Sequence, residues 1–165
     1  MVMATASTIN KQIEMHSEVL VHLPVGQVYD ILVDFDNLPQ VLSSLKAVHI
    51  LAPGNDGQVR MQVVARICIA FFCFNPTWIQ QMQLLPNGEI EAIITPGESD
   101  FGKGRAHWSL VPRNRNTLLI FDARLDFKFW LPSVIGPLLL QQKLEEEATL
   151  IAQGLERVAA VRFPN

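Results

Sequence analysis

Apolar and polar residues alternate most regularly in the last third of the chain. The apolar residues at alternate positions are Leu119, Phe121, Ala123, Leu125, Phe127 and Phe129. Charged residues lie at the positions between them from Asp122 to Lys128. This alternation is typical of an antiparallel sheet with one buried and one solvated face. It predicts a strand over residues 117–130 whose apolar side chains face a core.

The preceding residues predict one strand, two short helices and five further strands. Residues 13–23 mainly alternate and predict the first strand. After Pro24, an apolar stripe at helical spacing predicts a first helix, with Val25, Val28, Leu32 and Phe35 on one face. Asn37 is placed to cap a second short helix. Turn sequences rich in Pro, Gly and Asn separate strand candidates near 46–52, 58–72, 77–85, 89–95 and 104–111. Because the connections are short, we expect antiparallel pairing.

A long amphipathic helix is predicted to close the chain after Pro132, with Ser133 as its candidate N-cap. Its apolar positions recur every three or four residues, at Leu140, Leu144, Ala148, Ile151, Leu155 and Val158. Residues 1–12 are predicted to be a flexible tail and residues 13–165 a single domain. The fold class predicted is α+β, with a seven-stranded curved antiparallel sheet wrapped around the last helix. Such a helix need not fill the space beneath it, and the apolar cavity that results would bind apolar ligands.

Composition and charge exclude several classes of protein. Hydrophobic residues make up 49% of the 165 residues and charged residues 18%, which excludes intrinsic disorder. The net charge of −3 argues against nucleic-acid binding, which requires a basic surface. No apolar run approaches the roughly 20 residues of a membrane span. We expect no export signal and a cytoplasmic location.

Few residues in the chain suggest catalysis, metal binding or a cofactor. Cys68 and Cys73 are too few for a disulfide framework, and we expect two reduced, buried thiols. The four histidines have no metal-site spacing, and the glycines of residues 95–104 match no phosphate-binding motif. A nucleophile elbow of the G-x-S-x-G type does not occur. We therefore expect neither a metal nor a cofactor, and a binding protein more readily than an enzyme.

Several segments, taken in order, resemble one known superfamily. Residues 25–39 read VGQVYDILVDFDNLP and residues 106–110 read AHWSL, and the alternating strand, Leu131-Pro132 and the closing helix follow. This order resembles the START-related helix-grip (SRPBCC) superfamily, most of all its polyketide cyclase/dehydrase and coenzyme Q-binding branch. The resemblance spans residues 13–161. It implies a helix-grip fold that binds or transports a hydrophobic molecule such as a lipid, a quinone or a polyketide.

The inward faces of the predicted elements are candidates for a ligand cavity. Periodicity alone is equally consistent with an ordinary packed core, and the resemblance favours the cavity. The candidate lining residues are Val63, Ile67, Ile69, Gln80, Ile90, Ile94, Trp108, Leu110, Phe121, Leu125, Phe127, Phe129, Leu144, Ile151 and Leu155. Further polar candidates are Ser17, Arg66, Arg105 and His107, of which the last two are expected to face outward. Ligand release would require movement of the last helix or of residues 96–104.

Two apolar segments, residues 71–78 and 130–140, have two interpretations. Burial at one end of the sheet is the simpler one, and exposure would indicate weak contact with a membrane or a protein. The resemblance leaves two further alternatives to a carrier open. One is a polyketide cyclase/dehydrase-type enzyme, and the other is a protein-interaction module of the ribosome-associated toxin type. The sequence specifies neither the ligand nor the oligomeric state.

Overall fold

Strands form most of the molecule, and one long helix ends it. The computed structural model describes residues 1–9, 11–54, 56–128, 130, 132 and 135–164, without the side chains of residues 9 and 53. The strands are β1 (Val2–Ile9), β2 (Gln12–Val21), β3 (Leu45–Pro53), β4 (Gln58–Ala65), β5 (Ile67–Ile69), β6 (Phe72–Phe74), β7 (Thr77–Leu84), β8 (Ile90–Ile94), β9 (Phe101–Arg113) and β10 (Asn116–Phe127). The helices are α1 (Val25–Leu32), α2 (Leu38–Val41) and α3 (Pro137–Arg162), and short 3-10 turns lie at Phe35–Asn37 and Pro96–Glu98.

Within the described residues, eight strands form one sheet in the order β1-β2-β10-β9-β8-β7-β4-β3. All of its strand pairs are antiparallel, as the short connections predict. Strand β10 pairs with β2 on one side and with β9 on the other, so the most regular alternation in the sequence belongs to an interior strand. The sheet wraps around α3, which confirms the predicted helix-grip class.

The C-terminal part of α3 packs directly on the sheet. Its buried residues are Ala148, Ala152, Leu155 and Ala159, and they share one core cluster with Val19, Val21 and Leu119 of β2 and β10. Leu155 has no exposed surface at all. Small side chains on this part of the helix let it approach the sheet closely.

Gly154 lets α3 approach α2. A Cβ atom on this residue would lie only 1.8 Å from the backbone carbonyl oxygen of Val41. That separation is far below van der Waals contact, so only glycine fits without moving one of the two helices. The contact places α2 over the end of the sheet, where Phe35, Met61 and Met82 belong to a second buried cluster.

The prediction of a flexible tail at residues 1–12 is wrong. Val2–Ile9 forms β1, which pairs with β2 in unbroken register from Val2 opposite Val19 to Ile9 opposite Gln12. Backbone hydrogen bonds hold an edge strand whatever its side chains, so small polar residues do not prevent it from forming. The main sheet accordingly has eight strands instead of the seven predicted.

The predicted strand over residues 58–72 is divided in two. Strand β4 ends at Ala65, and the chain leaves the sheet at Arg66, whose N–H donates to the Ser44 carbonyl oxygen at 2.8 Å. Strands β5 and β6 then form a separate two-stranded hairpin, in which Cys68 lies opposite Cys73 and the two form a disulfide. The expectation of reduced, buried thiols is therefore wrong, because the pair is bonded and Cys73 is exposed.

The closing helix begins later than the sequence suggests. Its first residue is Pro137 and its N-cap is Gly136, so it starts beyond the predicted cap. Ser133, the predicted N-cap, and Phe129, a predicted lining residue, lie outside the described residues. Among the described helices, none combines the length and the apolar character needed to cross a bilayer.

Candidate functional site

A cavity of about 380 Å³ lies between the N-terminal part of α3 and the inner face of the sheet. Its volume falls within the range of small-molecule sites, at the lower end. Nearly all of its lining side chains are apolar, and they come from strands across the sheet, from α2 and from α3. Space remains here because the side chains in the N-terminal part of α3 are larger and more polar than those in its C-terminal part.

A row of alanines explains why the sheet side of the cavity is hollow. Ala92 of β8 lies opposite Ala106 of β9, and Ala106 lies opposite Ala123 of β10. Met82 and Met15 continue the row on either side, and all five residues line the cavity. Three methyl groups in register across three neighbouring strands leave room that larger side chains would fill.

The next row of the sheet is bulky and bounds the cavity. Ile90 lies opposite Trp108, and Trp108 lies opposite Phe121. The rings of Trp108 and Phe121 have centroids 5.1 Å apart and are tilted by 45°. These large side chains lie between the alanine row and the core that α3 and β2 share.

Eleven of the predicted lining residues lie around this cavity, and three do not. Those that line it are Val63, Ile67, Ile69, Gln80, Ile90, Ile94, Trp108, Phe121, Leu125, Leu144 and Ile151. Leu155 and Leu110 instead belong to the packed core beneath the C-terminal part of α3. Phe127 lies beyond a register shift in β10, opposite Phe101, and does not line the cavity.

A polar cluster lies on the α3 side of the cavity. The Lys143 Nζ atom lies 2.7 Å from Glu147 Oε1 and 3.1 Å from Glu146 Oε2. The Ser44 hydroxyl donates to Glu147 Oε2 at 2.9 Å. Lys143 and Glu147 are only 18% and 19% exposed, and both line the cavity together with Ser44. Among the described residues, Lys143 and Glu147 form the ion pair of which both members line the cavity.

The ion pair keeps Lys143 protonated. Burial lowers the pKa of this ammonium, but hydrogen bonds to Glu147 and Glu146 outweigh that effect, and the net pKa is raised. The sequence alone does not reveal the cluster, because three consecutive glutamates at residues 145–147 are most simply a solvated segment of the helix. The available signal was the spacing of Lys143 and Glu147, which are four residues apart on either side of Leu144.

Gln80 provides a second polar group on the sheet side. Its side-chain oxygen accepts from Trp78 Nε1 at 2.8 Å. Its amide nitrogen donates to the sulfur atoms of Met82 and Met61 at 3.2 and 3.6 Å. Thioethers are weak acceptors, so an oxygen atom of a bound molecule would be a better partner for this amide.

The remaining polar candidates differ in position. Ser17 and Arg105 line the cavity, and Arg66 and His107 do not. Arg105 is mostly exposed and pairs with Glu91, so only part of its side chain borders the cavity. His107 Nε2 lies 2.9 Å from Glu89 Oε2, with the Ser109 hydroxyl 3.5 Å from Nδ1. Asn87 and then His107 lower the pKa of the Glu89 carboxyl through hydrogen bonds.

The β5–β6 hairpin forms another part of the cavity wall. Ile67, Ile69 and Phe74 line the cavity, while Phe71 at the hairpin turn is 79% exposed. Trp130 is 74% exposed and lies edge-on to Phe72, with ring centroids 6.2 Å apart. Within the described residues, the apolar segments are thus partly exposed beside the cavity. No group of three His, Cys, Asp or Glu side chains in the described parts of the chain is arranged to hold a metal ion.

Solved structures share this architecture. A START superfamily protein from Mycobacterium smegmatis is 24% identical, with a TM-score of 0.70 over 88% of this chain and 98% of that one. A STAR-related lipid transfer protein from Xanthomonas axonopodis is 12% identical, with a TM-score of 0.71 over 94% and 93%. The Zhui aromatase/cyclase from Streptomyces sp. R1128 is 16% identical, with a TM-score of 0.69 over 92% and 97%. At these identities the likeness shows the fold.

Sequence comparison identifies the family. No curated protein matches the chain. A family model described as polyketide cyclase/dehydrase and lipid transport matches residues 21–146, which include every strand from β3 to β10 and the first ten residues of α3. Since this match covers well over half of the chain, the protein belongs to the polyketide cyclase/dehydrase and lipid transport family.

Proposed function

We propose that the protein binds and carries a hydrophobic small molecule in the cavity between the sheet and α3. The single observation that carries this proposal is the apolar cavity of about 380 Å³ with one polar cluster in its wall. An apolar ligand would gain about 25 cal/mol for each Å² removed from water. The proposed contact residues are the eleven predicted residues that line the cavity, together with the alanine row.

The polar cluster suggests which chemical group the ligand has at one end. Lys143 faces two carboxylates, those of Glu146 and Glu147, so the cluster has a net negative charge. The carboxylates would repel an anionic head group of a ligand placed close to them. A neutral hydroxyl or carbonyl group could instead accept a hydrogen bond from the remaining N–H of Lys143, without this electrostatic repulsion. We therefore propose a neutral ligand with an oxygen-bearing head group, a class that includes neutral lipids, quinones and uncharged polyketides.

A polyketide cyclase/dehydrase-type reaction is the second candidate. The polar cluster is what favours it, because it places ionisable groups beside the space a substrate would occupy. However, the raised pKa of Lys143 keeps the amine protonated and makes it a poor general base near neutral pH. A protonated Lys143 therefore favours a carrier over an enzyme. A protein-interaction role is less favoured, because a module that acts only through its surface does not require a cavity. A cytoplasmic location is retained as a prediction from the sequence.

Native mass spectrometry of freshly purified protein tests the proposal, followed by organic extraction and identification of any released molecule. We expect a neutral apolar molecule in near-stoichiometric amount, or its uptake from a cell lipid extract. A protein that stays free of ligand under both conditions would contradict the carrier function. A ligand that returns from incubation chemically changed would favour the enzyme.

A further inference from the structure

We propose that the Cys68–Cys73 disulfide is a redox-reactive site that takes a dithiol reductant, and that its reduction opens the cavity wall. The consequence for ligand exchange rests on the proposed carrier function, whereas the reactivity of the disulfide and the loosening of the hairpin do not.

The hairpin separates the disulfide from the cavity. In antiparallel register, Ile67 lies opposite Phe74 and Cys68 lies opposite Cys73. Neighbouring residues of a strand point to opposite faces, so the disulfide lies on one face while Ile67, Ile69 and Phe74 line the cavity from the other. Cys73 is exposed, and a reductant can therefore reach the bond without entering the cavity.

The disulfide joins the two strands of a very short hairpin. Strands β5 and β6 have only three paired positions and form a sheet of their own, apart from the eight-stranded one. A two-stranded hairpin is at best marginally stable in isolation. Ala70 in its turn has a φ of +53°, a left-handed conformation that costs energy for any residue with a Cβ atom. The middle pair of the hairpin is the covalent one, so it opposes the relaxation of this turn.

Apolar side chains provide noncovalent contacts between the hairpin and its surroundings. Ile69 is buried against the interior, but Phe71 at the tip is exposed. Phe72 contacts Phe74 and Trp130 through tilted and edge-on rings, with centroids 5.8 and 6.2 Å apart. Ring contacts of this kind are apolar and tolerate a change of geometry, so they allow the hairpin to shift once its strands separate.

Residues 96–104 are a poorer candidate for the gate. Ile79 N–H donates to the Ser99 hydroxyl at 2.9 Å, and that hydroxyl donates to the Thr95 carbonyl oxygen at 2.7 Å. Thr77 N–H donates to Asp100 Oδ2 at 2.7 Å, and Lys128 contacts backbone carbonyl oxygens of the same segment. This network attaches the segment to β7. Of the two segments, the β5–β6 hairpin is therefore the one built to open.

The chemical step is a thiol–disulfide exchange. A thiolate of the reductant attacks Sγ of Cys73, the Sγ–Sγ bond breaks, and the Cys68 thiolate leaves and takes up a proton. The second thiol of the reductant then attacks the mixed disulfide and releases the Cys73 thiol. Two electrons and two protons pass to the protein, and the reductant becomes a disulfide. Reoxidation by a disulfide of the same class reverses the reaction.

The test compares oxidised and reduced wild-type protein. Mass spectrometry verifies the two-proton difference, hydrogen exchange measures residues 67–74, and stopped-flow fluorescence measures the dissociation of Nile red, a neutral apolar dye with a carbonyl oxygen. On reduction we expect faster amide exchange in the hairpin and dissociation of the dye faster by about tenfold or more. The Cys68→Ser/Cys73→Ser double variant is the control, with rates equal to the reduced protein and no response to reductant.

Each outcome decides one part of the proposal. Air-oxidised protein that lacks the disulfide, or hairpin exchange that is identical in both states, overturns the redox site. Dye that binds but dissociates at the same rate in both states overturns the gate. If hairpin exchange accelerates but the dye binds in neither state, the redox site is supported and the carrier function is contradicted.

Discussion

Ala106 lies directly opposite Ala123 at the centre of the sheet, and both side chains face the cavity. Two methyl groups occupy a place where neighbouring rows have Trp108 beside Phe121 and Gly104 beside Leu125. The size of these two side chains thus decides whether the helix-grip fold encloses a space or a packed core at this point.

Ala106→Leu should fill that space. We expect affinity for Nile red to fall by at least about tenfold, because the added isopropyl group occupies the volume of the ligand. Thermal stability should change little, since the new side chain enters a cavity and not a packed core. Fluorescence titration measures the affinity. Lys103→Leu places the same side chain at an exposed position of the same strand and should bind as wild type. Undiminished binding by Ala106→Leu would place the ligand elsewhere.

Glu147→Gln should change which head groups the cavity accepts. The wild-type protein is expected to bind dodecanol more tightly than dodecanoate, because Glu146 and Glu147 repel a carboxylate. Removing one buried negative charge should improve dodecanoate binding by about tenfold and leave dodecanol binding nearly unchanged. Isothermal titration calorimetry with both compounds measures the difference.

Glu146→Gln is the matched control for that experiment. Glu146 also contacts Lys143, but it is 60% exposed and does not line the cavity. Solvent screens its charge, so this variant should alter the preference much less. Equal effects of the two variants would show that the preference arises from the surface charge of α3 and not from the cavity wall.

Gly154→Ala should destabilise the protein although alanine is the better helix former. The new methyl group would meet the Val41 carbonyl oxygen, and separating α2 from α3 should cost about 1–3 kcal/mol in the free energy of unfolding. Gly26→Ala is the control, because no atom lies within 4 Å of the new Cβ and α1 should gain about 0.5–1 kcal/mol. Urea denaturation measures both. A Gly154→Ala variant as stable as Gly26→Ala would contradict the close helix contact.

The stability of the protein should depend on pH through His16. Its Nδ1 atom lies 2.6 Å from Asp122 Oδ1, and this hydrogen bond, despite partial burial, raises the pKa of His16 above its ordinary value. The folded state therefore binds this proton more tightly than the unfolded state does. The stabilisation is complete below about pH 6.5 and is lost as the pH rises through the raised pKa.

Asp122→Asn tests this dependence. It removes the carboxylate, so the decrease in the free energy of unfolding as the pH rises above about 6.5 should become shallower. Asp56→Asn makes the same chemical change in the turn before β4 and should leave the slope as in wild type. Urea denaturation at a series of pH values provides the slopes. Parallel slopes for wild type and Asp122→Asn would rule out the assigned ion pair.

Strong patterns in the sequence predicted the elements they belong to. Strand β10 and helix α3 were predicted because burial on one face selects apolar residues at their characteristic periods. Strand β1 has no such pattern, since an edge strand is held by backbone hydrogen bonds and Ala4 is its buried contact. The hairpin at residues 67–74 was interpreted as the end of a longer strand, because the departure of the chain at Arg66 depends on its contact with Ser44.

By itself, the sequence determined the class of the fold, the order of most of its elements and the apolar character of its interior. These follow from periods of two and of three to four residues, which each segment expresses locally. Only the tertiary structure decided that three alanines meet in one row, that Ser44 meets Glu147, and that Cys68 meets Cys73. Such encounters depend on the register of strands and on the packing of distant segments. A shift of one residue would change every one of them while leaving the local patterns intact.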